Sequence, residues 1–280
     1  METVNCNVCL SNKKKILFNK ASKDGEIFTL NKCMSCGLEY ISPRPTLAEI
    51  GKYYSAEYFT NRTERGYDNY FSEKIKNEIE RVIALNLKDL DFYNYEKSLQ
   101  EEKKALDIGC AAGYFVNYLH QRNWKSNGID VSKECVDFAC SHGLHVSQGD
   151  YLQKIYNHQF DLITMWATIE HLHQPEKFLE KIHSELKNSG MLYISTCRTG
   201  FSFRQIFGKK WRYYNFPEHL YFFSHSTMKR LLHNGGFKLI SFKTYGSGFG
   251  KGGTIIRKIA DFTAKHFKLG DMMLLSAKKY

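Results

Sequence analysis

What this 280-residue chain lacks narrows the possibilities before any motif is read. No stretch approaches the roughly eighteen consecutive apolar residues that cross a bilayer, so no membrane-spanning helix is expected. The opening residues Met1-Glu2-Thr3-Val4-Asn5-Cys6 lack the basic-then-apolar layout of a secretion signal, and a soluble, cytoplasmic protein is expected. Internal repeats and low-complexity tracts are absent. Acidic residues are scarce at one end: residues 201–280 hold 15 Lys and Arg against 3 Asp and Glu, whereas the first 200 hold 25 against 26. The net charge of +11 therefore belongs to the last part of the chain. Such a one-sided field attracts anions: nucleotide-linked sugars, nucleic acid or acidic lipid surfaces. A solvated basic face that aids solubility is the plainer alternative.

What is present is enough for a core. At 42% hydrophobic and 15% aromatic content, global disorder is excluded. The length suits one large domain, alone or with a small appendage.

Eight cysteines are present, and four of them are spaced as two pairs. Cys6-x2-Cys9 and Cys33-x2-Cys36 are separated by 23 residues. Two residues between cysteines let both thiolates of a tight turn face one tetrahedral ion, and two such turns close a four-sulfur zinc site. A hairpin between the turns would absorb the intervening chain, and Gly37 suits a turn whose amides must face sulfur. Two disulfides are the alternative, which a cytoplasmic location disfavours. With four sulfur ligands the metal would hold structure and perform no chemistry. It would also supply much of the folding energy of so small a module. Cys110, Cys135, Cys140 and Cys197 have no paired spacing and read as ordinary buried thiols.

The chain divides into a zinc-binding module at 1–42, a helical linker or cap at 43–103, and a larger domain at 104–280. Within that domain, 201–280 forms a basic, aromatic segment on the substrate side. Pro43-Arg44-Pro45 ends the first module. Helical periodicity covers 46–60 and about 66–99, with Ile75, Ile79, Val82, Ile83 and Leu87 on one face. From Lys104 strands and helices alternate. Strands are expected at 105–109, 127–131, 160–166 and 190–195, with shorter ones at 144–147, 237–244 and 271–277. Helices are expected at 114–121, 132–142 and about 175–187. This alternation predicts an α/β fold: a mostly parallel sheet with helices on both faces.

Ligands of such sheets bind at the carboxyl ends of the strands. The first strand runs into Asp107-Ile108-Gly109-Cys110-Ala111-Ala112-Gly113, where Gly109 and Gly113 permit a tight turn and close backbone approach. The second strand ends in Asp130, 21 residues after Gly109, where a carboxylate can accept both hydroxyls of an adenosine ribose. A dinucleotide fingerprint needs glycine at position 111, which is alanine here. Asp107 instead suits a ligand that lacks phosphates and carries an ammonium group, which is S-adenosylmethionine. Asp150 could then take the adenine amino group, with Tyr151 or Val131 against the ring.

On these residues the chain resembles the class I S-adenosylmethionine-dependent methyltransferases. Asp107–Gly113 resembles their first motif, with Cys110 a common variant, and Gly128–Asp130 the acidic end of the second strand. Gly149-Asp150 resembles the adenine contact, and Leu186–Ser195 the turn into the fifth strand. Asp161–His171 with Pro175, a stretch that contains Trp166, resembles the fourth-strand motif. The resemblance implies a Rossmann-like seven-stranded sheet and places Asp107, Gly109, Cys110, Ala111, Gly113, Asp130, Val131, Asp150, Tyr151 and Trp166 around the cofactor.

The four cysteines, Gly37-Leu38-Glu39-Tyr40, Pro43-Arg44-Pro45 and Tyr53-Tyr54 resemble a bacterial subgroup with a zinc-binding head. Its members often act in surface-polysaccharide or deoxysugar pathways, including carbon-methylation of nucleotide-linked ketosugars.

A carbon or hydroxyl acceptor must lose a proton, so a general base is needed. Phe216-Pro217-Glu218-His219-Leu220-Tyr221-Phe222 resembles the segment bearing a Glu-His pair in the carbon-methylating sugar enzymes. That resemblance implies His219 as base and Glu218 as the carboxylate orienting it, with Tyr214 and Tyr221 as possible hydrogen-bond partners. His171, just past the fourth strand, is the second candidate; it could instead only frame the methionine end. Residues 201–223 hold ten aromatics interleaved with Arg204, Lys209, Lys210 and Arg212, suited to a sugar or base carrying phosphates, or to single-stranded RNA, with about half of the rings expected in the core. Gly246–Gly253 reads as a loop near the site that does not fit a phosphate-binding P-loop.

The expected activity is therefore methyl transfer to a small anionic acceptor, such as a nucleotide-linked sugar or polysaccharide precursor. An RNA methyltransferase with a zinc module and a non-catalytic S-adenosylmethionine-binding protein are the alternatives.

Overall fold

The computed structural model describes residues 1–53, 59, 69–157, 159–200, 204–246 and 264–280. The N-terminal segment forms three antiparallel strands, β1 (Lys14–Ala21), β2 (Ile27–Cys33) and β3 (Glu39–Ile41). The sequence between the two cysteine pairs is thus the β1–β2 hairpin. After a 3-10 turn at Ile50–Tyr53 come α1 (Glu73–Asp89) and α2 (Phe92–Ser98). Ser72 starts α1 by accepting the Ile75 amide, and Ile83 and Leu87 lie on its buried face. One continuous helix over 66–99 is not formed: Asp91, at φ +59°, turns the chain between α1 and α2. Of the expected 46–60 helix, 54–58 and 60 lie outside the described residues.

Then strands and helices alternate as β4 (Lys104–Ile108), α3 (Tyr114–His120), β5 (Lys125–Asp130), α4 (Lys133–Ser141), β6 (Val146–Gln148), β7 (Phe160–Trp166), α5 (Pro175–Glu185) and β8 (Leu186–Cys197). Six of the seven residues of β7 are buried, as a strand covered on both faces requires. α5 buries Phe178, Leu179 and Ile182 at helical spacing, and Ser132 caps α4 by accepting the Cys135 amide. The remaining elements are α6 (Arg204–Phe207), β9 (Tyr221–Phe222), α7 (His225–Asn234), β10 (Phe237–Tyr245) and β11 (Met272–Lys279). β9 and α7 are additions to the elements that the sequence pattern predicts. α7 does carry a local signal, the reciprocal Ser224/Thr227 capping box.

The main sheet has seven strands in the order β10-β11-β8-β7-β4-β5-β6. The strands from β6 to β8 are mutually parallel, and β11 runs antiparallel to both β8 and β10. This is the α/β architecture expected, with one reversed strand. Successive strands lie on one side of β4 as far as β6 and on the other side from β7 onward, so the switch point lies at β4/β7.

The second sheet has the order β1-β2-β3-β9. Its fourth strand comes from far along the chain, pairing Tyr40 with Tyr221 and Glu39 with Phe222. Behind it, Phe28, Leu30 and Ile41 share a buried cluster with Trp211, Tyr214, Phe216 and Phe222. Six of the eight described aromatics between 204 and 223 are buried, so most of these rings are packing rather than ligand surface. Tyr214 and Tyr221 are spent on the same join. The Tyr221 hydroxyl accepts from Arg44 Nη1 at 2.6 Å, and that of Tyr214 meets Arg204 and Glu39. Cys110, Cys135 and Cys197 are buried as expected, but Cys140 is exposed on α4.

Candidate active site and cysteine cluster

A cavity of about 1340 Å³ opens over the carboxyl ends of β4, β5 and β7. Sites for one small ligand commonly measure about 300–1,000 Å³, so this one has room for two. One end is walled by Gly109, Ala111, Asp130, Val131, Asp150 and Trp166, with Tyr151 beside them. The other end is walled by the N-terminal segment and by residues 210–219, including Lys210, Arg212 and His219.

The turn after β4 explains the unusual alanine. Ala111 has φ +46°, the left-handed region that glycine enters most easily. Its amide donates to Asp130 Oδ2 and that of Ser132 to Oδ1, both at 2.8 Å. Each oxygen retains lone-pair capacity, so Asp130 can still accept two hydroxyls. Gly109, at φ +73°, is required by closeness: a Cβ there would sit 2.6 Å from Thr168 Oγ1 and Cγ2. The Asp150 carboxylate caps the following turn by accepting the Leu152 amide at 2.9 Å. Tyr151 is held from behind, donating its hydroxyl to Glu185 Oε2 at 2.5 Å and packing on Phe178.

Three of the expected cofactor residues lie off the cavity wall. Cys110 turns inward, where its sulfur would be 2.6 Å from a Cβ at Gly128. Gly113 serves packing, since a Cβ there would come within 2.9 Å of Leu144 and 3.2 Å of Ala139. Asp107 is buried below the turn and accepts from Thr164 Oγ1 at 2.6 Å.

The cofactor end fits an S-adenosyl group on chemical grounds. Carboxylates stand at Asp130 and Asp150, and Ile108, Val131 and Leu152 supply apolar wall. The indole N–H of Trp166 is buried with no acceptor among the described residues, leaving a donor for a ligand. Burial pushes the Asp107 carboxyl up to about 8, and the charge of Asp130 adds to the rise against the Thr164 bond. Below that pH the acid holds a proton that a nearby cationic ligand disfavours. Cofactor binding at pH 7 is therefore expected to release more protons in the native protein than in Asp107→Asn, up to one per site. Calorimetry in buffers of different ionisation enthalpy measures this, and equal release from the two proteins would refute it.

At the far end His171 and His219 meet edge to face with ring centroids 4.6 Å apart. A carboxylate oxygen of Glu170 and one nitrogen of each ring lie within 4.8 Å of one another. His171 Nδ1 is 2.8 Å from the Glu218 carbonyl oxygen, which can only accept. Nδ1 therefore carries a proton, and in the neutral form of the ring the lone pair is on Nε2. His219 Nδ1 lies 3.9 Å from Cys197 Sγ, a weak contact that leaves its tautomer open. Glu218 is buried and does not line the cavity; its backbone carbonyl holds the His171 ring. The sequence pattern pairs Glu218 with His219 and passes over Glu170, for which adjacency to His171 is the one available signal.

The four cysteines converge. Cys6 Sγ is 3.4 Å from Cys36 Sγ and Cys9 Sγ is 3.5 Å from Cys33 Sγ, and all four sulfurs lie within 4.8 Å of one another. These separations exceed a disulfide bond of about 2.05 Å and suit sulfurs sharing one ion. The amides of Val8 and Cys9 bond the Cys6 sulfur, and those of Cys36 and Ser35 bond that of Cys33. Leu10 at φ +59° and Gly37 at φ +84° close the two turns, their amides donating to the Cys6 and Cys33 carbonyls. The donor set and its backbone support fit a closed structural zinc site.

A methyltransferase-domain family model matches residues 72–241. The ubiquinone biosynthesis O-methyltransferase of Histophilus somni is 28% identical over 132 residues, covering 43% of this chain and 56% of that protein. That of an Azoarcus species is 26% identical over 153 residues, covering 50% of this chain and 66% of that protein. The chain spans about half the length of the curated relatives it matches. An S-adenosylmethionine-dependent methyltransferase structure from Archaeoglobus fulgidus superposes with a TM-score of 0.56 at 20% identity, covering 80% of this chain and 100% of that one. At that identity the likeness speaks for the fold alone. The family match covers more than half of the chain and takes in the β4 turn, Asp130, Asp150 and both site histidines, so the chain belongs to the S-adenosylmethionine-dependent methyltransferases of class I.

Proposed function

We propose that this protein transfers a methyl group from S-adenosylmethionine to a small anionic acceptor of the nucleotide-linked sugar class, with zinc as a structural staple. One observation carries the acceptor assignment: two cations with neither an ion pair nor a hydrogen bond among the described residues share the cavity with the histidine pair. Lys20 donates to the Tyr214 carbonyl, and Arg44 donates to Glu2, Tyr221 and the His173 carbonyl, so these two are spent on structure. Lys210 and Arg212 also line the cavity and make no ion pair among the described residues; Arg212 only lies over the Tyr213 ring, at 5.1 Å. A phosphate-bearing acceptor would pair with both. The resemblance of the cysteine head to the deoxysugar subgroup points the same way.

When bound, S-adenosylmethionine supplies a methyl group activated by a positively charged sulfur. The protein's residues orient and deprotonate. Asp130 and Asp150 hold the adenosine, while Lys210 and Arg212 anchor the acceptor's anionic end. His219 removes the acceptor proton, and the lone pair at His171 Nε2 places a second basic nitrogen beside it. Double replacement Lys210→Ser/Arg212→Ser is expected to raise the KM for a nucleotide-linked sugar about 100-fold while S-adenosylmethionine affinity changes less than threefold, on the scale of two lost charge-assisted contacts. An unchanged KM would sink the acceptor assignment.

A second reading rests on the relatives' names, which make them O-methyltransferases of ubiquinone biosynthesis. A phenolic hydroxyl acceptor needs the same base but not the two cations. Turnover of a catechol, insensitive to Lys210→Ser/Arg212→Ser, would favour it.

A further inference from the structure

A second pocket, of about 410 Å³, lies outside the catalytic cavity between the β1–β2 face and residues 204–214. Its charged walls are Lys15, Lys32, Lys209, Arg204 and Glu39. Arg204 and Glu39 neutralise each other through an ion pair at 2.7 Å, to which the Tyr214 hydroxyl also contributes. The three lysines have no ion pair among the described residues. Lys15 and Lys32 stand directly opposite each other across the β1–β2 register, both facing the pocket. Like charges in that arrangement destabilise a sheet. The neighbour of Lys32 on its other side is Glu39, already engaged by Arg204. Lys209 closes the ring from the turn at Gly208–Lys210, 5.4 Å from the centroid of Phe18, and Leu17 and Phe18 add apolar wall.

Three uncompensated ammonium groups thus surround a space of small-ligand size, two of them at a standing cost to the fold. We propose that this pocket binds a phosphorylated small molecule carrying two or more negative charges, which relieves the Lys15–Lys32 repulsion. The turn that presents Lys209 here presents Lys210 to the catalytic cavity, so the two sites are neighbours. The phosphate has two sources: the far end of the methyl acceptor, or a separate phosphorylated effector. Binding itself does not depend on the acceptor proposed above, so its failure is distinguishable from failure of that reading.

The test is calorimetric titration of the full zinc-loaded chain with inorganic pyrophosphate at fixed ionic strength, together with melting curves. Saturable binding is expected, weakened about tenfold in Lys15→Gln and in Lys32→Gln, whereas Arg212→Gln removes only a separate binding event at the larger cavity. Without pyrophosphate each lysine variant should melt above the native protein, and with it the order should reverse. A purely structural role for these lysines would not produce that reversal. Titration with UDP-glucose separates the sources. Weakening by both Lys15→Gln and Arg212→Gln marks one ligand that spans the two sites, and weakening by Lys15→Gln alone marks a separate effector. Pyrophosphate affinity equal in native and Lys15→Gln proteins, or lost only in Arg212→Gln, would overturn the proposal.

Discussion

Replacing Cys33 with serine, or stripping the metal with a chelator, is expected to abolish methyl transfer while S-adenosylmethionine binding stays within about threefold of native. The two effects separate because the two ends of the cavity are built differently. The cofactor end belongs to the turns after β4, β5 and β7, whose strands are tied together by their own ladders even though Cys6 and Cys33 share a buried cluster with Leu106, Ile108 and Ile129. The acceptor end is attached to the cysteine module through β3 and β9, with Ile41 donating to the Leu220 carbonyl and Leu220 donating to that of Glu170. His219 immediately precedes this join. Structural zinc supplies on the order of 10–16 kcal/mol to isolated modules of this kind, far more than three short strands can replace. If zinc is the staple proposed above, its loss would free β3, then β9, then the loop that fixes His219 and, through the Glu218 carbonyl, His171. The melting temperature should fall by roughly 10 °C or more, with unfolding in two steps. Metal content, calorimetric cofactor binding and turnover measured on one preparation decide the matter. Normal turnover by metal-free protein would end the staple assignment.

Replacing His219 with alanine is expected to lower kcat by about 100- to 10,000-fold, the usual worth of a general base, with little change in cofactor affinity. His171→Ala should fall in the same range if the pair acts together, and the double variant should be no worse than the poorer single one. Glu218→Gln is the informative contrast. Its backbone carbonyl accepts the His171 hydrogen bond and is kept in the variant, so the amide should retain activity within a few-fold. A loss as large as that of His219→Ala would restore the carboxylate–imidazole pairing suggested by the sequence. In the native protein activity should rise with pH and then level off, because the base works only when neutral. Full activity in His219→Ala would remove the base assignment and leave the family membership intact.

Where the chain's chemistry depends on local geometry, the amino-acid sequence makes it legible. The Asp107–Gly113 turn, Asp130 and the alternation of strands and helices report short-range constraints: apolar runs of strand length, residues permissive at tight turns, acids at strand ends. The Cys-x2-Cys pairs are legible for the same reason, since four thiols must close on one point. Side-chain direction is not. Cys110 and Gly113 carry the right motif positions yet face the core, because neighbours from α4 and β5, remote in sequence, occupy the space beside them. The ten aromatics of 201–223 suggest a ligand surface, yet the sequence has no mark separating a ring that stacks on a sugar from one that seals two sheets.

Local pattern was enough for the family, the mostly parallel sheet and the cysteines that converge. The joining of the cysteine module to the segment that bears His219 emerges only in three dimensions, because β9 is two residues long and its pairing with β3 spans about 180 positions. So short a strand has no periodicity to read, and its stability comes from the buried Trp211–Phe222 cluster and the Arg44–Tyr221 bond rather than from its own residues. The same long-range closure sets His171 against His219. Function in this molecule depends on which distant residues are brought within a few ångströms, and that is the part no local pattern encodes.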